Sequence, residues 1–173
     1  MQMRRSMIAF LLFSLLEASV CGAACDKIEP LFVIEHSKNG NAVRYEACID
    51  ENGGLSSPEP VISYWVLENG QREELNSIER ARAYGVVVGE RKGKEVARIS
   101  VVSLKAREIS VAKTGTKYSA LMLINGRECI LERVFIKSHD LIFGLPVVEY
   151  IELFGKTKEE GRPVTEHIIK SQL

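Results

Sequence analysis

Three of the four Asn-Gly pairs, Asn39-Gly40, Asn69-Gly70 and Asn125-Gly126, stand between short runs of apolar residues. Asn-Gly is the strongest short-range hairpin signal, because both central residues of a type I′ turn need positive φ. A chain punctuated in this way is constrained to fold largely as successive hairpins. The first pair separates Leu31 to Ile34 from Asn41 to Ile49. In the second of these runs Val43, Tyr45, Ala47 and Ile49 share one face, and Arg44, Glu46 and Cys48 share the other. That alternation is the mark of a half-buried strand. After a Gly-, Ser- and Pro-rich loop from Glu51 to Pro60, the run Val61 to Leu67 is apolar on both faces, as expected of a central strand.

Further β runs are Val86 to Val88, Glu95 to Leu104, Glu108 to Ala112, Tyr118 to Ile124, Glu128 to Lys137, Val147 to Phe154 and Val164 to Ile169. One segment breaks the pattern. Asn76 with Glu79 three residues on has capping-box spacing, Gly85 fits the residue after a helix, and Ile78 with Ala81 would form an inner stripe. The expectation is therefore a mainly β domain, an antiparallel β-sandwich or small β-barrel of roughly nine strands, with one short helix at about 76–84. There is no βαβ alternation, internal repeat or dividing linker, so residues 25–173 are expected to form a single domain with its core over 31–170.

The first residues follow another logic. Arg4-Arg5 supplies a positive patch, Met7 to Leu16 is an uninterrupted apolar run, and small residues follow at Ala18, Ser19, Gly22, Ala23 and Ala24. This order predicts a signal peptide over residues 1–24, and hence export to the periplasm or beyond. Gly22-Ala23-Ala24-Cys25 resembles a bacterial lipobox with Gly where an aliphatic residue is usual. Two outcomes stand open: lipidation of Cys25, which would be the one route to membrane attachment, or cleavage by ordinary signal peptidase. Cys48 and Cys129 lie on separate predicted strands and are either a disulfide or two unpaired, strand-packed thiols.

Lys and Arg together count 23, as do Asp and Glu. The formal net charge of zero provides no global field for nucleic acid, which is not expected as a partner. No CxxC and no Cys/His cluster at zinc spacing is present, so neither a metal nor another cofactor is expected. His36, His139 and His167 are scattered, with His36 near a turn and His139 in a loop, and they form a site only if the fold gathers them. Ser56-Ser57 and Ser103 lack the strand–turn–helix setting of a nucleophile elbow.

Several stretches resemble an exported bacterial family known only as a domain of unknown function (DUF4833-like). They are Leu31-Phe32-Val33-Ile34-Glu35, Ser37-Lys38-Asn39 with Asn41, Pro60-Val61 with Tyr64-Trp65, and Gln71-Arg72-Glu73-Glu74-Leu75. The resemblance is strongest over Ile78-Glu79-Arg80 with Ala83-Tyr84-Gly85. It continues through Arg133-Val134-Phe135 and Gly161-Arg162-Pro163-Val164-Thr165-Glu166. His36 departs from it, standing where an Arg-like residue is more usual. The resemblance implies an exported address and a domain boundary, and no catalytic role.

The candidate pocket is Trp65, Glu79, Arg80 and Tyr84, in which the aromatics offer stacking surface and Arg a planar fork for carboxylate or phosphate. The competing reading of the same segment is a solvated helix with internal ion pairs. Of Tyr64 and Trp65, which point to opposite faces, one is expected in the core and the other is free to face a cavity. The leading function is a non-enzymatic domain of the bacterial cell envelope that binds a small ligand or an envelope protein. The alternatives are an envelope enzyme using Glu79 as acid or base with Arg80 and Tyr84 in support, and a purely structural envelope component.

Overall fold

The computed structural model describes residues 25–140 and 146–169. The signal peptide expected over 1–24 and the last residue of the expected core, at position 170, lie outside the described residues. Eleven strands form one sheet: β1 (Lys27–His36), β2 (Ala42–Ile49), β3 (Val61–Val66), β4 (Arg72–Glu74), β5 (Val86–Lys92), β6 (Val96–Val101), β7 (Ile109–Thr114), β8 (Lys117–Ile124), β9 (Arg127–Asp140), β10 (Pro146–Thr157) and β11 (Pro163–Ile169). The sheet order is β4-β3-β2-β1-β9-β8-β7-β6-β5, with β10 added along β9 and β11 along β10. The sheet curls into a half-barrel.

Most of the pairings are antiparallel, as the turns dictate. The exception is β1 with β9, which run parallel from Val33 opposite Arg133 to His36 opposite Ile136. This pair joins the first hairpin to the rest of the sheet. No local signal encodes it.

Inside the curl lie Ile34, Val43, Tyr45, Leu55, Ile99, Val101, Ile109, Val111, Ile124, Leu131, Val134 and Leu153, each almost fully buried. Burying an aliphatic side chain of this size stabilises by about 1.5–3 kcal/mol, so this interior carries the fold. The predicted face of β2 is correct, since Val43, Tyr45, Ala47 and Ile49 are all buried. Its other face is drier than alternation suggests, because Glu46 and Cys48 are buried as well. The Tyr64 hydroxyl donates to Glu46 Oε2 at 2.9 Å, giving that carboxylate a partner.

Two carboxylates, one buried and one half-buried, act as clamps. Glu29 Oε2 accepts the Tyr118 backbone N–H at 2.8 Å and Oε1 accepts from Lys27 at 2.6 Å, tying β1 to the start of β8. Burial pushes its pKa up, but the Lys27 and Tyr118 hydrogen bonds outweigh this and hold it below the ordinary glutamate range. Glu166 on β11 accepts the Asn125 N–H at 2.6 Å and pairs with the Arg107 guanidinium.

Several expectations are corrected. Cys48 is bonded to Cys25, and Cys129 is a buried free thiol. The Cys48–Cys129 pairing fails because β1 lies between β2 and β9, whereas Cys25 comes alongside Cys48 at the start of β1, with Asp26 N donating to Ile49 O at 3.0 Å. This bond and a lipid thioether on Cys25 are alternative uses of the same sulfur. β3 is not a central strand covered on both sides: it lies one strand from the sheet edge, and Ile62, Trp65 and Val66 are only partly buried. His139 lies within β9 and not in a loop.

The Asn-Gly turns also divide. Asn125 and Gly126 both have positive φ, 50° and 75°, as the type I′ reading requires. At Asn69-Gly70 only the glycine does, and at Asn39-Gly40 neither does. There Gly40 N–H donates to Glu68 Oε1 at 2.6 Å and the Glu68 N–H donates to Asn41 Oδ1 at 3.0 Å, so the first loop is shaped by the β3–β4 turn beside it.

Candidate functional site

The site is built around the segment that interrupts the β pattern. Asn76 Oδ1 accepts the Ile78 and Glu79 N–H groups at 2.9 Å, and Glu79 Oε2 accepts the Asn76 N–H at 2.9 Å, completing the capping box read from the sequence. Helix α1 (Ser77–Glu79) then widens at once into a π-turn over Arg80–Tyr84. The wider turn rotates later side chains away from their α-helical positions. Neither piece buries a residue, and Ile78 is 69% exposed, so the inner stripe of Ile78 and Ala81 does not form. Gly85 ends the turn with φ at −63°, a value open to any residue. Its requirement is space: a Cβ there would lie 1.9 Å from the Arg80 carbonyl oxygen.

The π-turn is pinned to the core at one atom. Tyr45, fully buried and stacked on Phe32 with ring centroids 4.4 Å apart, donates its hydroxyl to the Tyr84 carbonyl at 2.8 Å. This holds the Tyr84 ring edge-on to Trp65, centroids 5.0 Å apart, while His36 also meets Trp65 edge-on, at 5.5 Å. The three rings line an open cleft of about 580 Å³, whose walls also include Glu73, Glu79, Arg82, Ser103 and Ser138.

Trp65, Glu79 and Tyr84 therefore share one cavity, and Arg80 does not join them. Arg80 turns to Glu74 at 3.2 Å and lines a separate opening on the far side of the β4 strand. The convergence of Glu79, Arg80 and Tyr84 that the enzymatic alternative needs is not formed. The Glu79 carboxylate is engaged as a cap, and burial followed by the nearby Glu79 charge raises the Tyr84 pKa, so its phenol stays protonated.

His36 and Arg82 are the residues that sequence reasoning passed over. The hairpin register sets Ile34 opposite Val43 and Val43 opposite Trp65, so His36, two residues after Ile34, shares the Trp65 face. That much was open to an alternation argument. The presence of Arg82 in place of Arg80 at the cleft was not, because it depends on the π-turn. Burial, then the charge of Lys38, lowers the His36 pKa, so the ring is neutral near pH 7. Its Nδ1 is buried without a hydrogen-bond partner. A neutral imidazole in that state, beside the Trp65 ring, keeps a donor or acceptor unmatched among the described residues.

His139 pairs with Glu149 at 2.9 Å, and His167 lies 3.5 Å from Glu152. Among the described residues no three His, Cys, Asp or Glu side chains gather in a way that could hold a metal ion, and no helix is long and apolar enough to cross a membrane.

No curated protein and no solved structure matches the chain. Residues 32–167, which include each residue of the cleft, match the family described as domain of unknown function (DUF4833), and the protein belongs to that family.

Proposed function

We propose that this domain is a non-catalytic binding protein of the bacterial cell envelope, and that it takes a small organic ligand in the cleft bounded by His36, Trp65 and Tyr84. The observation that carries the reading is the run of three edge-to-face rings lining one open cleft, with the His36 Nδ1 buried and unpartnered beside them. Open apolar pockets with a few convergent polar groups are what small-molecule sites look like. Arg82 at the rim adds a planar, charged fork suited to a carboxylate or a ring hydroxyl pair. The export signature at the N-terminus supports the envelope address, and a disulfide between Cys25 and Cys48 is consistent with an oxidising compartment.

Trp65 is the only tryptophan, so its emission reports directly on the cleft. The test is a fluorescence titration of the disulfide-intact domain against amino acids, mono- and disaccharides, nucleosides and aromatic acids. At least one class is expected to shift the emission saturably, and Tyr84→Ala is expected to weaken that ligand by about tenfold, the equivalent of about 1.4 kcal/mol. A panel that leaves the emission unchanged, or a shift indifferent to Tyr84→Ala, removes the reading.

A further inference from the structure

The second opening, the one that Arg80 lines, has a different chemistry from the cleft. It lies where the two margins of the curled sheet face each other, β3 on one side and β5 on the other. β3 pairs with β2, and β4 covers it only from Tyr64 to Val66, so Val61 to Ser63 have no strand on their outer side. β5 pairs with β6 alone.

The direction of the exposed backbone groups follows from the bonds that are made. Cys48 N–H donates to Pro60 O, so Pro60 faces β2; Leu67 N–H donates to Gln71 O, so Leu67 faces away from β2. Backbone groups in an antiparallel strand alternate sides residue by residue. Both anchors give one answer: Val61 and Ser63 direct N–H and C=O outward, into the seam. On the other margin Val102 N–H donates to Gly85 O, so Gly85 and Val87 face β6 while Val86 and Val88 face the seam. These four residues are among those that line the opening, which has a volume of about 400 Å³. The strands come within 8 Å of each other, Cα to Cα, and are not paired. Paired strands sit about 4.7–4.9 Å apart.

Direction completes the picture. Counting round the sheet from β3 to β5, six pairings are antiparallel and the one between β1 and β9 is parallel. Six reversals return the chain to its starting direction, so β3 and β5 run the same way. One strand laid between them in the opposite sense is antiparallel to both.

We propose that the β3–β5 seam is a docking slot for an extended peptide segment, which enters as an added strand antiparallel to both margins and bonds to the backbone of Val61, Ser63, Val86 and Val88. Strand addition of this kind takes its affinity from main-chain hydrogen bonds and its selectivity from alternate side chains. Here the side chains facing inward from both margins are Val61, Ser63, Val86 and Val88. Val86 packs against the core, but Val88 on the same face is 39% exposed, which marks unfilled apolar space at the seam. The peptide therefore presents an apolar side chain inward. Its outward side chains meet Glu59 and the Arg72–Glu74–Arg80 triad, with Arg72 at 2.8 Å and Arg80 at 3.2 Å from Glu74. Charges of both signs at the rim make the slot a reader of extended backbone more than of net charge. Full insertion needs about twice the strand spacing, so the seam widens by at least about 2 Å where it is narrowest.

The experiment is residue-resolved amide exchange on the disulfide-intact domain, with and without a capped Thr-Val-Thr-Val-Thr-Val peptide at millimolar concentration. Alone, the amides of Val61, Ser63, Val86 and Val88 are expected to exchange freely while those of Ile62 and Val87 are protected. With the peptide, the four are expected to slow by about tenfold or more, and the same peptide N-methylated at alternate residues gives no protection. Val88→Pro removes a seam-facing N–H without breaking a bond to β6, so it is expected to keep the fold and lose the peptide effect. Four amides protected before any peptide is added would mean that β3 and β5 close on each other. Protection that grows with protein concentration alone would mean a second copy of this chain fills the slot. No protection at saturating peptide would mean that the seam binds no strand. Each of these results overturns the proposal, and none of them bears on the cleft at Trp65.

Discussion

The hairpin at Asn125-Gly126 and the excursion from Leu75 to Val88 both connect strands of one sheet, and they treat their polar groups in opposite ways. At the hairpin, Glu166 takes the Asn125 N–H and the Arg107 guanidinium, and the residues around it are locked to one another. Around the excursion, His36 Nδ1 on β1 has no hydrogen-bond partner among the described residues, and the seam-facing edges of β3 and β5 have no strand beside them. Saturated polar groups at a sheet margin hold a fold in place; leftover ones are available to something outside the chain. The difference separates a structural corner from the corner proposed to bind, within one sheet.

The sharpest way to break the contrast is at Gly85. Its backbone conformation suits any residue, so the objection to Gly85→Ala is steric alone, a Cβ 1.9 Å from the Arg80 carbonyl. Backbone cannot swing aside as a side chain would. The π-turn is expected to unravel at a cost of about 3 kcal/mol, lowering Tm and releasing the Tyr84 carbonyl from Tyr45. Thermal unfolding measures the first and loss of the structured Trp65 environment the second. A Gly85→Ala variant as stable as the parent would show that the excursion is held elsewhere.

Gly85 also shows where reading the sequence stops. The capping box at Asn76 and Glu79 and the type I′ turn at Asn125-Gly126 were legible because each is closed by atoms three residues apart or fewer. The widening of the helix into a π-turn was not, and with it went the inward stripe of Ile78 and the choice between Arg80 and Arg82. Asn39-Gly40 carries the same dipeptide as the I′ turn, yet Glu68 from another hairpin dictates its geometry. The parallel β1–β9 pair, the Cys25–Cys48 bond and the meeting of β3 with β5 all join elements that no local pattern relates. Trp65 and Tyr84 could be named in advance as cavity residues because aromatic side chains beside a turn are few. His36 could have joined them by alternation along β1 from Ile34, carried across the hairpins through Val43 to Trp65.

A second effect, smaller and pH-dependent, sharpens the structural side. Burial raises the Glu166 pKa, but the Asn125 N–H and Arg107 outweigh it and bring the folded value below the ordinary glutamate range. A carboxyl with its folded pKa depressed contributes stability that is fully present above the unfolded value and is lost as pH falls through the folded one. Glu29 shifts in the same direction and adds to the same window. Glu166→Gln is expected to cost about 2 kcal/mol at neutral pH, with the gap to the parent narrowing as the solution is acidified below the ordinary glutamate range. Denaturant midpoints measured from neutral to acid pH follow this directly. A gap that stays constant with pH would mean that the charge of Glu166 contributes nothing.

The smallest expected effect is the one that separates the two openings of the binding corner. Arg80 and Arg82 lie two residues apart on one π-turn, yet Arg80 reaches Glu74 at the seam and Arg82 lines the cleft. Arg80 and Glu74 are 49% and 61% exposed, and an ion pair that open to solvent contributes at most about 1 kcal/mol. Arg80→Ala is therefore expected to move Tm by no more than about 2–4 °C and to leave a ligand of the cleft bound as before. Arg82→Ala is expected to spare stability altogether, because Arg82 makes no hydrogen bond or ion pair among the described residues, and to weaken an anionic or polyhydroxyl ligand at Trp65. Titrating both variants through Trp65 emission compares them on one scale. Equal weakening by the two substitutions would mean that the π-turn transmits changes from the seam to the cleft, and that the two openings form a single site.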